Sequence, residues 1–159
     1  MKFMYSLLII IEIVLMGICA VKSFGKKGKL AEIVLYYEIV AFVCGIFFWL
    51  YSFFPDIKVT TLCKGVEFAC YDWLVILLMY YTQYSTGLFK GIRAVKIAMI
   101  LFSAVDSFVM IANVWTHKVF TISEITNSDI IIEYVKDGFF YRAHFLYNYI
   151  VIVVILIAF

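Results

Sequence analysis

Charge and proline are what this chain has least of. Asp, Glu, Lys and Arg make up 15% of its 159 residues, against about 25% in soluble domains. A water-facing globule of ordinary composition is therefore excluded. One proline, Pro55, leaves long stretches with nothing to break a helix. The net charge is only +2, and the basic residues fall mostly in short connectors, so no basic face is offered to a nucleic acid. Four cysteines, Cys19, Cys44, Cys63 and Cys70, form no CxxC pair and no zinc spacing. Cys63 and Cys70 are expected to stay unpaired, because Cys70 already lies a turn into a helix. The run Gly25, Lys26, Lys27, Gly28, Lys29 lacks the spacing of a phosphate loop, and no strand precedes it. With no Ser-His-Asp set in register either, neither an enzyme nor a cofactor is expected.

What is present is apolar. Hydrophobic residues reach 66%, aromatics 19%, and the mean hydropathy is +1.05. A helix rises about 1.5 Å per residue and must cross roughly 30 Å of hydrocarbon. Four runs come up to that length, at about 3–21, 30–54, 66–84 and 94–115, and a fifth transmembrane run begins at 144–159. The expected class is an all-α integral membrane protein. The first run is a span rather than a cleaved signal peptide, because one charge precedes it, it is long for an h-region, and no small-residue cleavage site follows. Pro55 stops the second behind Trp49, Tyr51, Phe53 and Phe54, an interfacial aromatic belt, and Tyr80, Tyr81 and Tyr84 form the opposing belt. Thr60 to Gly65 reads as a short polar loop. The fifth run is still apolar at Phe159, so residues 1–159 are expected to be a single transmembrane domain that is incomplete at its C-terminus.

Loop charge gives the orientation. Lys22, Lys26, Lys27 and Lys29 crowd one short connector, and Lys90, Arg93 and Lys96 another. The opposite side spreads Lys2, Lys58, Lys64, Lys118, Lys136 and Arg142 among several acids. Density therefore puts the crowded loops in the cytoplasm and the N-terminus outside a cell membrane. On the outer side, residues 116–142 contain two β-prone runs, Val119 to Ile122 and Ile130 to Val135, and the turn signal Asp137, Gly138. That pattern predicts a small extracytoplasmic β-hairpin cap between the fourth and fifth helices.

Ionisable groups inside a span cost roughly 2.5–3.5 kcal/mol each on insertion scales. Glu12, Glu38, Asp72 and Asp106 lie that deep with no Lys or Arg at their level. They are expected to be protonated, to face a water-filled cavity, or to bond neighbours such as Tyr37, Ser103 and Ser107. Glu32 and Glu67 sit near the interfaces. Asp106 and Asn113, seven apart, share a face of the fourth helix. Asn113, Trp115 and His117 end that helix, and Tyr141, His144 and Tyr147 begin the next. Two readings stay open for these residues. They anchor helix ends at the interface, or they line an outer pocket with aromatic walls and a few convergent polar groups. His117 and His144 have no Cys or carboxylate at tight ligand spacing, so no metal site is expected.

The five apolar runs, the Asn113, Trp115, His117 signature, the long outer loop, and the series Tyr141, Arg142, Ala143, His144 followed by Tyr147, Asn148, Tyr149 together resemble the N-terminal seven-transmembrane region of bacterial histidine kinases. The same sensor region also precedes GGDEF diguanylate cyclase domains. A departure lies at Gly138, Phe139, Phe140, Tyr141, where the family commonly has Gly-Pro before the aromatic. The resemblance implies a seven-helix bundle, of which five helices are present here, with a kinase or cyclase output domain in cis in the cytoplasm. It implies a signal-input receptor for a small-molecule or peptide ligand, and is compatible with a homodimer. The alternative is a proton-linked transporter or channel component that uses the intramembrane acids. Against it stand the absence of an internal repeat and of a Pro-broken helix.

Overall fold

The computed structural model describes residues 2–51, 56–88, 91, 93–126, 129–134 and 138–158, with side chains for 7–50, 56–88, 91, 93–122 and 138–157. Five helices and one strand pair follow in the order α1 (Lys2–Ser23), α2 (Lys29–Tyr51), α3 (Ile57–Thr86), α4 (Arg93–Thr116), β1 (Phe120–Thr126), β2 (Asp129–Tyr134) and α5 (Phe139–Ala158). Three of the helices, over Lys29–Leu50, Arg93–Thr116 and Phe139–Ile157, are long and apolar enough to cross a membrane. Much of their surface is bare hydrocarbon, as at Leu101, Val105 and Phe108 of α4 and Leu146, Ile150 and Ile157 of α5. Water would not tolerate such faces, and lipid does.

The third helix is longer than expected. Thr60 to Gly65, read from composition as a polar loop, is helical. The reason is local. Asp56, in extended backbone, accepts from the amides of Lys58 at 2.8 Å and Val59 at 3.0 Å, which caps the helix before the threonines begin. Thr61 then returns its hydroxyl to the Ile57 carbonyl at 2.7 Å, and Thr60 and Thr61 are both buried. At the far end Gly87, at φ 80°, closes the helix and donates its amide to Gln83 O. Pro55, the expected stop signal, lies outside the described residues, as do Lys90, Lys136 and Asp137.

Helices α1 to α4 pack side by side in chain order, and α5 lies against α3 and α4. Small residues set the approaches. A Cβ at Gly45 would stand 3.0 Å from Ile13 Cγ1, and one at Gly17 would stand 3.3 Å from Phe42, so α1 and α2 meet through glycine. Between α3 and α4 the fit is closer still. A Cβ at Gly65 would come within 2.5 Å of the Met110 carbonyl oxygen, backbone against backbone.

Strands β1 and β2 are antiparallel, with Phe120 opposite Tyr134 and Thr126 opposite Asp129, and the register shifts between Ile122 and Glu124. They are joined across residues 127–128, not through Asp137 and Gly138 as the turn signal suggested. Gly138 instead precedes α5 directly, and its carbonyl accepts the Arg142 amide. Phe139 to Tyr141 is the first turn of that helix. The strand pair is tied down by Asn113, whose amide nitrogen donates to Phe120 O at 2.7 Å and whose oxygen accepts from Val119 N at 2.9 Å. Phe120 itself is fully buried, edge-on to Phe68.

The glycine contact and the asparagine clamp each predict a measurable loss. Gly65→Ala should lower stability by about 1–3 kcal/mol through overpacking, seen as a lower unfolding midpoint in detergent, whereas Gly91→Ala, with open space around it, should not. Asn113→Ala leaves two buried backbone groups unpaired at about 1–3 kcal/mol each. Hydrogen exchange should show loss of protection at the Val119 amide, and unchanged protection there would contradict the clamp.

Candidate functional site

Three helices place one acid or base each at the same level of the bundle. Asp72 comes from the middle of α3, Asp106 from α4 and His144 from α5, and all three are buried. His144 Nδ1 lies 2.6 Å from Asp106 Oδ2 and 3.2 Å from Asp72 Oδ1. One turn along α5, Asn148 donates its amide to Asp72 Oδ1 at 2.9 Å and to the His144 carbonyl at 3.1 Å. The same amide nitrogen sits 3.4 Å from His144 Nε2.

Apolar layers close this polar layer on both sides. Toward the strands lie Phe68, Met110, Val119, Phe120 and Ile122, with Tyr141 and Phe145 packed against them. Phe68 is the hub, with ring centroids 5.4 Å from His144 and 5.9 Å from both Tyr141 and Phe145. On the other side lie Val75, Met79, Val151 and Ile155, with Met99 and Tyr147 beside them. Helical periodicity produces the alternation. Phe68, Asp72, Val75 and Met79 follow one another at three or four residues down one face of α3, and Tyr141, His144, Asn148, Val151 and Ile155 do the same on α5.

The layer is short of hydrogen. A neutral imidazole has one N–H, and here one ring nitrogen faces two carboxylate oxygens. Asp72 Oδ2, Asp106 Oδ1 and Asn148 Oδ1 are shielded from solvent with no hydrogen-bond partner. Fully buried polar atoms of this kind are rare in native proteins and mark strain or a function.

A cavity of about 360 Å³ opens beside the layer, between α2, α3 and α5. His144 and Asn148 supply polar atoms to it, Tyr37, Tyr71 and Tyr149 ring it, and Val75 and Ile152 are among its apolar walls. A second cavity, of about 420 Å³, holds Glu12 and Glu38 with Cys19, Leu15 and Ala41, and Tyr37 borders both. Glu12 is exposed on α1, and Glu38 Oε2 is shielded without a partner.

The residues expected to form an outer pocket are dispersed. Trp115 is 77% exposed, and His117 is exposed and ends α4 in the left-handed region at φ 49°, its amide bonded to Asn113 O. That is the work of a helix terminator. Asn113 is spent on the strand clamp. Tyr141 packs on Phe68, and the Tyr147 hydroxyl is 3.0 Å from Ser103 Oγ. Of these residues only His144 reaches the cavity, and its partners are the buried acids Asp72 and Asp106, not His117. Ser103 and Ser107, two of the neighbours named for the third of the alternatives open to the acids, bond neither: Ser103 bonds Tyr147, and Ser107 Oγ has no partner.

Glu67, expected to need no explanation near an interface, is buried and paired. Lys64 Nζ lies 2.8 Å from its Oε2 and the Tyr71 hydroxyl donates to its Oε1 at 2.8 Å, while Lys64 also stands over the Phe48 ring. All four cysteines are free thiols.

No family model matches this chain, and neither a curated protein nor a solved structure matches it. What the chain itself shows is an ionisable junction buried among three helices, two of which, α4 and α5, are long and apolar enough to cross a membrane.

Removing one member of a buried charged set costs about 3–5 kcal/mol, while replacing the whole set with apolar groups is often neutral or stabilising. Asp106→Leu alone should destabilise the chain by that amount, and the triple variant Asp72→Leu, Asp106→Leu, His144→Phe should recover most of it. Unfolding curves in mixed micelles measure both; a single variant no worse than the triple would mean that the layer is not held together by charge.

Proposed function

We propose that this chain is the signal-input domain of a bacterial membrane receptor. In this reading it crosses the membrane five times with its N-terminus outside and supplies five helices of a seven-helix bundle. The strand pair caps the extracytoplasmic side, and a histidine kinase or diguanylate cyclase domain in cis, in the cytoplasm, receives the signal, as a homodimer where the output domain requires one. The observation that carries the proposal is the position of the polar layer. Asp72, Asp106 and His144 join three helices at a point that borders a cavity of ligand size. An occupant reaching Asn148 or His144 would compete for the hydrogen bonds that hold α5 to α3. Two packings of α5, one with those bonds and one without, are what a ligand needs in order to shift a population.

A proton-linked transporter is the second reading. Glu12 and Glu38 share one cavity, His144 borders the other, and Tyr37 stands between them, a series of titratable groups across α1, α2 and α5.

Spin labels separate the two. Cysteine labels at the exposed positions Tyr84 on α3 and Ile157 on α5 report how these helices sit at the end away from the strands. A receptor predicts that Asp106→Asn moves α5 by about 1–2 Å, the usual scale of helix shifts, with no solute-driven proton flux in proteoliposomes. Flux that Asp106→Asn abolishes, with an unchanged label distance, would replace the receptor with the transporter.

A further inference from the structure

The geometry points to a divalent transition-metal site in the polar layer, with Asp72, Asp106 and His144 as ligands and Asn148 as their orienting neighbour. One potential ligand atom from each of the three lies within 4.8 Å of the other two. The set is two carboxylates and an imidazole, the donor types that bind Zn²⁺, Mn²⁺ and Co²⁺. This assignment is independent of whether the chain signals or transports.

Charge and hydrogen-bond supply both lead to it. With both carboxylates ionised, an imidazolium leaves the layer one negative charge in excess between the apolar clusters around Phe68 and Val75. A dication with a neutral imidazole leaves no excess charge, which a low-dielectric interior favours strongly. The unpartnered oxygens Asp72 Oδ2, Asp106 Oδ1 and Asn148 Oδ1 are three acceptors with nothing to accept. A cation satisfies several lone pairs at once, as a single proton on Nδ1 does not. In the metal-free arrangement that proton lies between Nδ1 and the carboxylates at 2.6 Å and 3.2 Å. Binding is then an exchange: the ion takes a carboxylate oxygen from each aspartate and the Nδ1 lone pair of an imidazolium that keeps its Nε2 proton, and the Nδ1 proton is released.

The titratable groups that face the layer are few. Asp72 comes from α3, Asp106 from α4 and His144 from α5, with the Tyr147 hydroxyl nearby on Ser103, and Tyr37 of α2, Tyr71 of α3 and Tyr149 of α5 line the cavity beside them. Because a proton competes for the same nitrogen, metal affinity must rise with pH. Asn148 fixes Asp72, and the loss of such an outer partner typically weakens a metal site about 10–100-fold.

The full chain in nanodiscs, titrated with Zn²⁺ and Co²⁺ by calorimetry and visible absorption, tests this. Expected are one ion per chain, a Co²⁺ ligand-field spectrum with nitrogen and oxygen donors, proton release on binding, and weaker binding at lower pH. Asn148→Leu should weaken Zn²⁺ about 10–100-fold, and His144→Phe should abolish uptake. His117→Ala, an exposed histidine outside the layer, should change nothing. Since His144→Phe has the potential to disturb folding, the wild-type titration decides alone. No uptake of either ion by the wild type overturns the site, as does uptake that survives in folded His144→Phe or is lost in His117→Ala.

Discussion

Two carboxylates and an imidazole brought together out of reach of solvent are the constraint on which this structure depends. None of the three is tolerable alone at that depth, and each comes from a different helix. α3, α4 and α5 must therefore hold one relative height, since sliding any of them by a turn would strand a charge among apolar side chains. The apolar layers above and below do the bulk of the packing, but apolar surfaces slide at little cost in lipid, where no hydrophobic effect drives helices together. The polar layer supplies the register, much as a buried polar residue sets the register of a coiled coil.

Other contacts divide the remaining work. Glycine brings α1 against α2 and α3 against α4, and Asn113 fastens the strands to the end of α4. Glu67, Lys64 and Tyr71 form a second polar group on α3, with Phe48 of α2 beneath the lysine. α5 is different. It meets the rest through Phe68 and the polar layer near its start and through Val151 and Ile155 near its end, while Ile150, Val154 and Ile157 stay bare. Of the described helices it has the least to hold it in place besides the ionisable junction.

The three helices long and apolar enough to cross a membrane were legible because their apolar runs are rarely interrupted by proline or glycine. Boundaries failed where polar residues are helical for local reasons. Thr60 and Thr61 look like loop until Asp56 is seen to cap them, and Phe139 to Arg142 fall in the outer loop until Gly138 is seen to start a helix. The depth of Asp72 and Asp106 was visible in the sequence, and so was the inward face shared by Asp106 and Asn113. Their partner was not, because His144 is far from both in sequence and was grouped with His117 by residue type. The spacing of four that puts His144 and Asn148 on one face was legible, but not the acids that the face meets. On α5, His144 and Asn148 continue the line of Tyr141, Val151 and Ile155, the buried stripe of that helix.

The crossing at Gly65 has a mechanical side. Where two main chains touch with no side chain between them, nothing compressible separates α3 from α4. Seven residues along α3 is Asp72, and four back along α4 from Met110 is Asp106, so both carboxylates ride on arms that share this fulcrum. A small scissoring of the two arms changes the gap between the acids while leaving the crossing itself undisturbed. The spacing of the charged pair is thus an angular quantity, read out by whichever helix carries the imidazole.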